Sequence, residues 1–201
     1  MKTYYISKST HIDNPYFLVF ANAVDEEIVT QSLAKCGYSV IQTSTLIDSV
    51  SQNFKKHIDI IYEDENCKQH YVDVKTPGDK YITISKTLIR SNVDKNNEFA
   101  IIYEDRIYFA KVGDILKHAK QSKYNGEMMY VTIGEFIGET SFIVKIDKQL
   151  QEYRKKQILL KDKILKETQT CRINDAMRIA EDALQDNYYN MFDENFSIKA
   201  I

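Results

Sequence analysis

The sequence predicts an α/β (α+β) fold, a central mixed β-sheet flanked by helices, and three observations carry that prediction. Short apolar runs with strand-like alternation recur between Tyr38 and Ile133. Stripes of helical period lie before and after them. One run, Phe99-Ala100-Ile101-Ile102-Tyr103, is apolar almost throughout, as in a strand covered on both faces. With 201 residues, 43% apolar and 28% charged, the chain suits a single soluble domain with a tail. Six glycines and two prolines are too few for a long flexible linker.

The elements follow in order. Val24, Ile28, Leu33 and Cys36, with Ala34, make a helical stripe that stops at Gly37. Tyr38-Ser39-Val40-Ile41 reads as a strand, and the polar stretch 42–56 leads to a second, His57-Ile58-Asp59-Ile60-Ile61-Tyr62. Glu63-Asp64-Glu65-Asn66 turns the chain into a third, Tyr71-Val72-Asp73-Val74-Lys75-Thr76. Tyr81 to Lys86 passes from strand to helix, with Ser85 as N-cap of a helix running to about Lys95. Phe99–Tyr103 and Ile107–Lys111 form a hairpin about Glu104-Asp105-Arg106, Asp114 to Ser122 a short helix, and Met128 to Ile133 a last strand. The pattern turns helical between Val144 and Lys148, so the expected division is an α/β core over 1–144 and a helical C-terminal extension over 145–201.

Three residues on these strands carry chemistry. Asp73 and Lys75 are two apart, so a strand points both to one face while Val72 and Val74 point to the other. Asp59, from the preceding strand, supplies a second carboxylate. Hard divalent cations such as Mg2+ take oxygen ligands, often one or two carboxylates with waters and a phosphate. Asp59, Asp73 and the carbonyl of Val74 are therefore candidate metal ligands. Lys75 is placed to hold the attacking water or to offset charge on phosphorus. The competing reading of the same tripeptide is a solvated cross-strand charge pair worth roughly 0.2–1 kcal/mol.

The order helix, strand, strand, strand, together with Glu26-Glu27 ahead of the Leu33 to Tyr38 segment, Ile58-Asp59, and Asp73-Val74-Lys75, resembles the PD-(D/E)xK nuclease superfamily, the restriction-endonuclease-like fold. The resemblance covers residues 20 to 110. It departs at Ile58, where the family has proline, and at Asp73, where glutamate is commoner. It implies a Mg2+-dependent endonuclease (with Mn2+ as an alternative ion) that hydrolyses double-stranded DNA to 5′-phosphate and 3′-hydroxyl ends. Asp59, Asp73 and Lys75 would be catalytic, with Glu27 as the auxiliary helix acid and Glu26 as its alternative. A homodimer is expected, because one site cuts one strand and C2 symmetry supplies the second.

Within that class the helical extension favours a type II restriction-endonuclease-like, defence or phage nuclease over a Holliday-junction-resolvase-like one. A nuclease subunit working with a partner ATPase or methyltransferase is a further alternative. So, from another class, is a non-catalytic DNA-binding or assembly protein that keeps the fold.

The rest of the sequence narrows the classes. His57, Lys86 and Arg90 are candidate DNA contacts, and for Lys86 and Arg90 an exposed helix face is the competing reading. Lys145 to Arg172 holds nine Lys or Arg against four Asp or Glu, with Leu150, Tyr153, Gln157, Leu160 and Ile164 at helical spacing. That segment reads as a basic amphipathic helix, a DNA-contacting or dimer-forming element or simply a solvated one. The net charge of −2 gives no global signature of a DNA-binding protein. Cys36, Cys67 and Cys171 and the four histidines lack metal-ligand spacing, which argues against a zinc site. Met1-Lys2-Thr3-Tyr4-Tyr5 lacks the apolar stretch of a secretory signal, and no apolar run is long enough for a membrane span, so a cytoplasmic protein is expected. No glycine-rich phosphate loop and no G-x-S-x-G elbow are present.

Overall fold

The alternating runs assemble into the mixed sheet that the sequence predicts. The computed structural model describes residues 2–8, 16–18, 20–43, 58–86, 94–123, 126–167, 175, 177–179, 182 and 196–200. The chain forms two compact units, one of Asp25–Gln151 and one of Met1–Val24 with Glu152–Ile201. Among the described residues no helix is long and apolar enough to cross a membrane.

In chain order the strands are β1 (Lys2–Lys8), β2 (Tyr16–Leu18), β3 (Ser39–Thr43), β4 (Ile60–Glu63), β5 (Gln69–Lys75), β6 (Tyr81–Ser85), β7 (Glu98–Tyr103), β8 (Arg106–Lys111), β9 (Lys120–Gln121), β10 (Met128–Thr132), β11 (Phe142–Lys145) and β12 (Phe196–Ala200). The helices are α1 (Phe20–Lys35), α2 (Val112–Leu116), α3 (Ile133–Gly138) and α4 (Lys148–Glu167).

The central unit is built on a six-stranded sheet in the order β11-β8-β7-β5-β4-β3. β3, β4 and β5 form an antiparallel meander, β7 joins β5 in parallel, and β8 and β11 continue antiparallel. Phe99, Ala100 and Ile101 of β7 are wholly buried, as expected for a strand covered on both faces. A second sheet, β6-β10-β9, lies over one face of β7 and β8. Ile82, Ile84 and Val131 pack there with Phe99, Ile101, Tyr108 and Ala110, and with Ile115 and Phe136 of α2 and α3. Burying such side chains contributes about 1.5–3 kcal/mol each.

Helix α1 begins four residues before the expected Val24 and ends as the sequence suggests. Gly37 sits at φ +89°, Tyr38 N–H donates to Leu33 O at 3.1 Å and Gly37 N–H to Ala34 O at 3.0 Å. This Schellman closure satisfies the last carbonyls and needs the left-handed conformation that glycine adopts freely. The turn between β4 and β5 is held by Asp64, whose carboxylate accepts from Asn66 N at 2.9 Å and Lys68 N at 3.0 Å.

Two expectations are corrected. The helix placed at Asp114–Ser122 is α2, Val112–Leu116, because its tail turns through i→i+3 bonds and Lys120 and Gln121 then pair with Tyr130 and Met129. Ladder bonds there outweigh the helical preference of a lysine-rich stretch. The strand at Met128 is not the last, since β11 and β12 follow. The first residues of the chain share a unit with Glu152–Ile201, where β1 pairs in parallel with β12 and antiparallel with β2. Such non-local pairing leaves no local sequence signature. Beyond Lys86, the expected helix to Lys95 falls largely outside the described residues, and within the expected helical extension, residues Asp175, Met177–Ile179 and Asp182 are described beyond Glu167 as helical.

Candidate active site

Strand register creates the site. β4 and β5 pair antiparallel with Ile60 opposite Val72 and Ile61 opposite Tyr71. One step further the same register sets Asp59 opposite Asp73. Side chains directly opposite on one face of a sheet are near neighbours, and like charges there repel. Backbone bonds fix the arrangement. Asp59 N–H donates to Val72 O at 2.8 Å, and Val74 N–H donates to Asp59 Oδ2 at 2.7 Å.

Lys75 completes the group from the same face. Its Nζ lies 2.6 Å from Asp73 Oδ1 and 5.6 Å from the centre of the Phe99 ring, so a carboxylate and an aromatic face both steady the ammonium. Asp73 pairs across the sheet with Phe99, and Lys75 with Ile101, residues packed under the second sheet. The site therefore lies on the covered face. Lys75 keeps 21% side-chain exposure, against 7% for Asp73, so the lysine is the member open to solvent.

Burial pushes the Asp59 carboxyl up to about 7, with the charge of Asp73 adding to the rise and Lys75 and the Val74 N–H opposing it. Asp73 is also raised, first by burial, while Lys75 and a hydrogen bond from Asp59 pull it down. Asp73 Oδ2 is buried without a donor, and Asp59 is close enough to share a proton with Asp73. Two facing carboxylates with one lysine carry one negative charge too many for a dry site, and a shared proton or a cation relieves it.

That donor set fits Mg2+. The ligands are hard oxygens, and one buried oxygen lacks a donor. Among the described residues no three His, Cys, Asp or Glu side chains form a metal cluster, so the carboxylates offered are the pair Asp59 and Asp73. Mg2+ commonly takes that number, completing its shell with water and phosphate.

The helix acids arrive from α1. Glu26 is the one whose negative charge raises Asp73. Glu27 is buried at 7% exposure. The structure describes Lys86 at the end of β6, its N–H donating to Glu127 O at 2.8 Å, on the second sheet rather than among the site carboxylates. His57 and Arg90 lie outside the described residues.

Two features escaped sequence reasoning. Asp25, 3% exposed, accepts from Thr76 Oγ1 at 3.1 Å and so ties α1 to the residue after Lys75. An aspartate inside the apolar stripe of α1 was the available signal. On the opposite face of the sheet, Glu98 accepts from Tyr62 Oη at 3.1 Å and contacts His70 Nδ1 at 3.4 Å, while His70 Nε2 meets Asp64 at 3.1 Å. His70 stacks on Tyr62 at 4.7 Å. This network binds the β4–β5 turn to β7, and its signal was a glutamate opening the most apolar strand.

The tie at Asp25 yields a prediction. Thr76→Val removes a donor from a buried carboxylate, at a cost of about 1–3 kcal/mol. The melting temperature should fall by roughly 2–12 °C, and Thr76→Ser should restore it. A thermal melt of the three proteins checks this, and an unchanged melt for the valine variant would remove the tie's importance.

No protein-family model and no curated protein matches this chain.

Proposed function

We propose that this protein is a Mg2+-dependent nuclease that hydrolyses phosphodiester bonds in double-stranded DNA. One observation carries the reading: antiparallel register sets the half-buried carboxylate of Asp59 opposite the buried one of Asp73, with a lysine held 2.6 Å from Asp73 on the same face. The supporting context is the order of elements. A helix precedes a three-stranded meander, the element order on which the resemblance to a restriction-endonuclease-like core rests, and the third strand runs parallel to its neighbour β7.

When bound, the metal lowers the pKa of water and neutralises charge on the scissile phosphate. Asp59 and Asp73 would hold it, with the Val74 carbonyl as a further ligand. Glu26 adds negative charge from the helix side, and Glu27 is the other acid of that turn. The Lys75 ammonium, anchored on Asp73 and Phe99, is positioned to donate to the attacking water or to a phosphate oxygen as charge develops there. The products carry 5′-phosphate and 3′-hydroxyl ends. A duplex cut takes two such sites, hence a homodimer, and a restriction or defence nuclease is the favoured kind. The exposed thiols of Cys36 and Cys67 suit a reducing, cytoplasmic compartment.

The test incubates the purified chain with supercoiled plasmid in Mg2+, in Mn2+ and in EDTA, beside Asp73→Asn. Nicking by the wild type with either ion, lost in EDTA and in the variant, is expected. Equal nicking by wild type and Asp73→Asn would sink the assignment. DNA binding without any cleavage would leave a non-catalytic DNA-binding protein in its place.

A further inference from the structure

We propose that the exposed face of α4 binds the phosphate backbone of duplex DNA; the choice of DNA as the ligand rests on the nuclease reading, while the basic surface does not. Between Lys148 and Lys166 stand seven Lys or Arg and two Asp or Glu, so the rest of the chain carries −7 while this segment carries +5. The positive charge is concentrated on one helix.

Its phase decides what the helix can do. Leu150, Tyr153 and Gln157 are buried and lie at i, i+3 and i+7, which defines the inward stripe. Lys148, Lys155, Lys156, Lys163 and Lys166 are exposed and project from the opposite half. Lys155 meets Glu152 at 3.1 Å and Lys163 reaches Glu167 only at 4.0 Å, while Lys148, Lys156 and Lys166 have no carboxylate partner among the described residues. The lysines extend along about 27 Å of helix. A duplex offers one phosphate charge per roughly 1.7 Å of its axis, so a row of this length can track many of them.

A second copy of the chain fits this face less well. Ile158 and Leu159 stand at its centre with 40% and 69% exposure, but the residues one turn to either side of them are Arg154, Lys155, Lys156, Lys161, Asp162 and Lys163. A self-associating seam needs apolar residues repeating every three or four positions. Here two adjacent apolar residues have charge one turn to either side, and no such repeat is exposed among the described residues.

The experiment measures binding of a fluorescent 30-base-pair duplex to the full chain by anisotropy, in EDTA to prevent cutting, over a range of salt. Lys156→Gln/Lys163→Gln/Lys166→Gln should weaken binding about tenfold or more near 100 mM salt and lower the slope of log K against log salt by about 2–3. The same three positions as arginine should restore both. A control triple at exposed lysines elsewhere, Lys111→Gln/Lys123→Gln/Lys145→Gln, should leave both unchanged. Equal losses in the control triple, or an unchanged slope in the α4 triple, overturn the proposal. So does a change of oligomeric state in the α4 triple by light scattering, or its loss of binding to anionic phospholipid vesicles without loss of DNA binding. If plasmid cleavage fails but α4-dependent binding persists, the nuclease reading falls and this inference stands. Cleavage with α4-independent binding gives the reverse.

Discussion

Asp59→Asn should make the metal-free protein more stable and abolish the proposed cleavage. The amide oxygen keeps the bond from Val74 N–H, and the amide nitrogen is a permanent donor beside Asp73, which in the wild type Asp59 supplies only while it is protonated. One of two facing charges is also removed. Supplying that bond to a buried carboxylate is worth about 1–3 kcal/mol, or roughly 2–12 °C in melting temperature for a chain of this size. The gain depends on pH with a definite sign. Asp59 is raised from 3.8 to about 7 in the folded protein, so the folded state holds a proton that the unfolded state has released over that interval. Its stabilising contribution is complete below pH 4 and is lost as pH rises through 7. The wild type should therefore melt lower at pH 8 than at pH 5.5, and Asp59→Asn should flatten that slope. Mg2+ should replace the proton, raising the wild-type melting temperature more at pH 8 than at pH 5.5 and leaving the variant unmoved. Melting curves at both pH values with and without Mg2+ check each part, and a variant that melts below the wild type at pH 8 would contradict the account.

Lys75→Ala should slow cleavage by about 100- to 10,000-fold without weakening the response to Mg2+. Among the described residues the ammonium is the one cation held against Asp73, and both carboxylates are pulled down by its charge. Removing it leaves the pair more negative, which attracts a divalent ion more strongly while the positive charge facing the reacting phosphate is gone. Cleavage rate and Mg2+ half-saturation should thus move apart: the rate collapses and the half-saturation concentration stays or falls. Single-turnover cleavage across a Mg2+ titration measures both. A half-saturation concentration that rises in step with the loss of rate would mean that Lys75 serves only to build the carboxylate site.

Most of this site was legible because it is local. Period-2 alternation places Asp73 and Lys75 on one face, and the short turn at Asp64 forces the β4–β5 hairpin into a register that brings Asp59 across. The helix acid was harder to read. Glu26 and Glu27 differ by 100° on a helix, and the rotational setting of α1 depends on the burial of Ile28, Val29 and Leu33 and on the Asp25–Thr76 bond. None of those contacts is local. β9, with two residues, and β11, beside a helical transition, were too short to stand out from their surroundings. The pairing of β1 with β12 joins residues almost the whole chain apart, and only the folded chain reveals it.

That last pairing sets an order of events during folding. The unit Asp25–Gln151 is contiguous and can assemble from neighbours, whereas the other unit is interrupted by it. β1 must wait for β12, across an intervening segment of nearly two hundred residues. Closing so long a loop from an unfolded chain is entropically expensive and slow. A central unit already folded shortens the effective loop by bringing its ends under the control of structure. Refolding should accordingly be biphasic, with amide protection in β7 and β8 complete before β1 acquires its own.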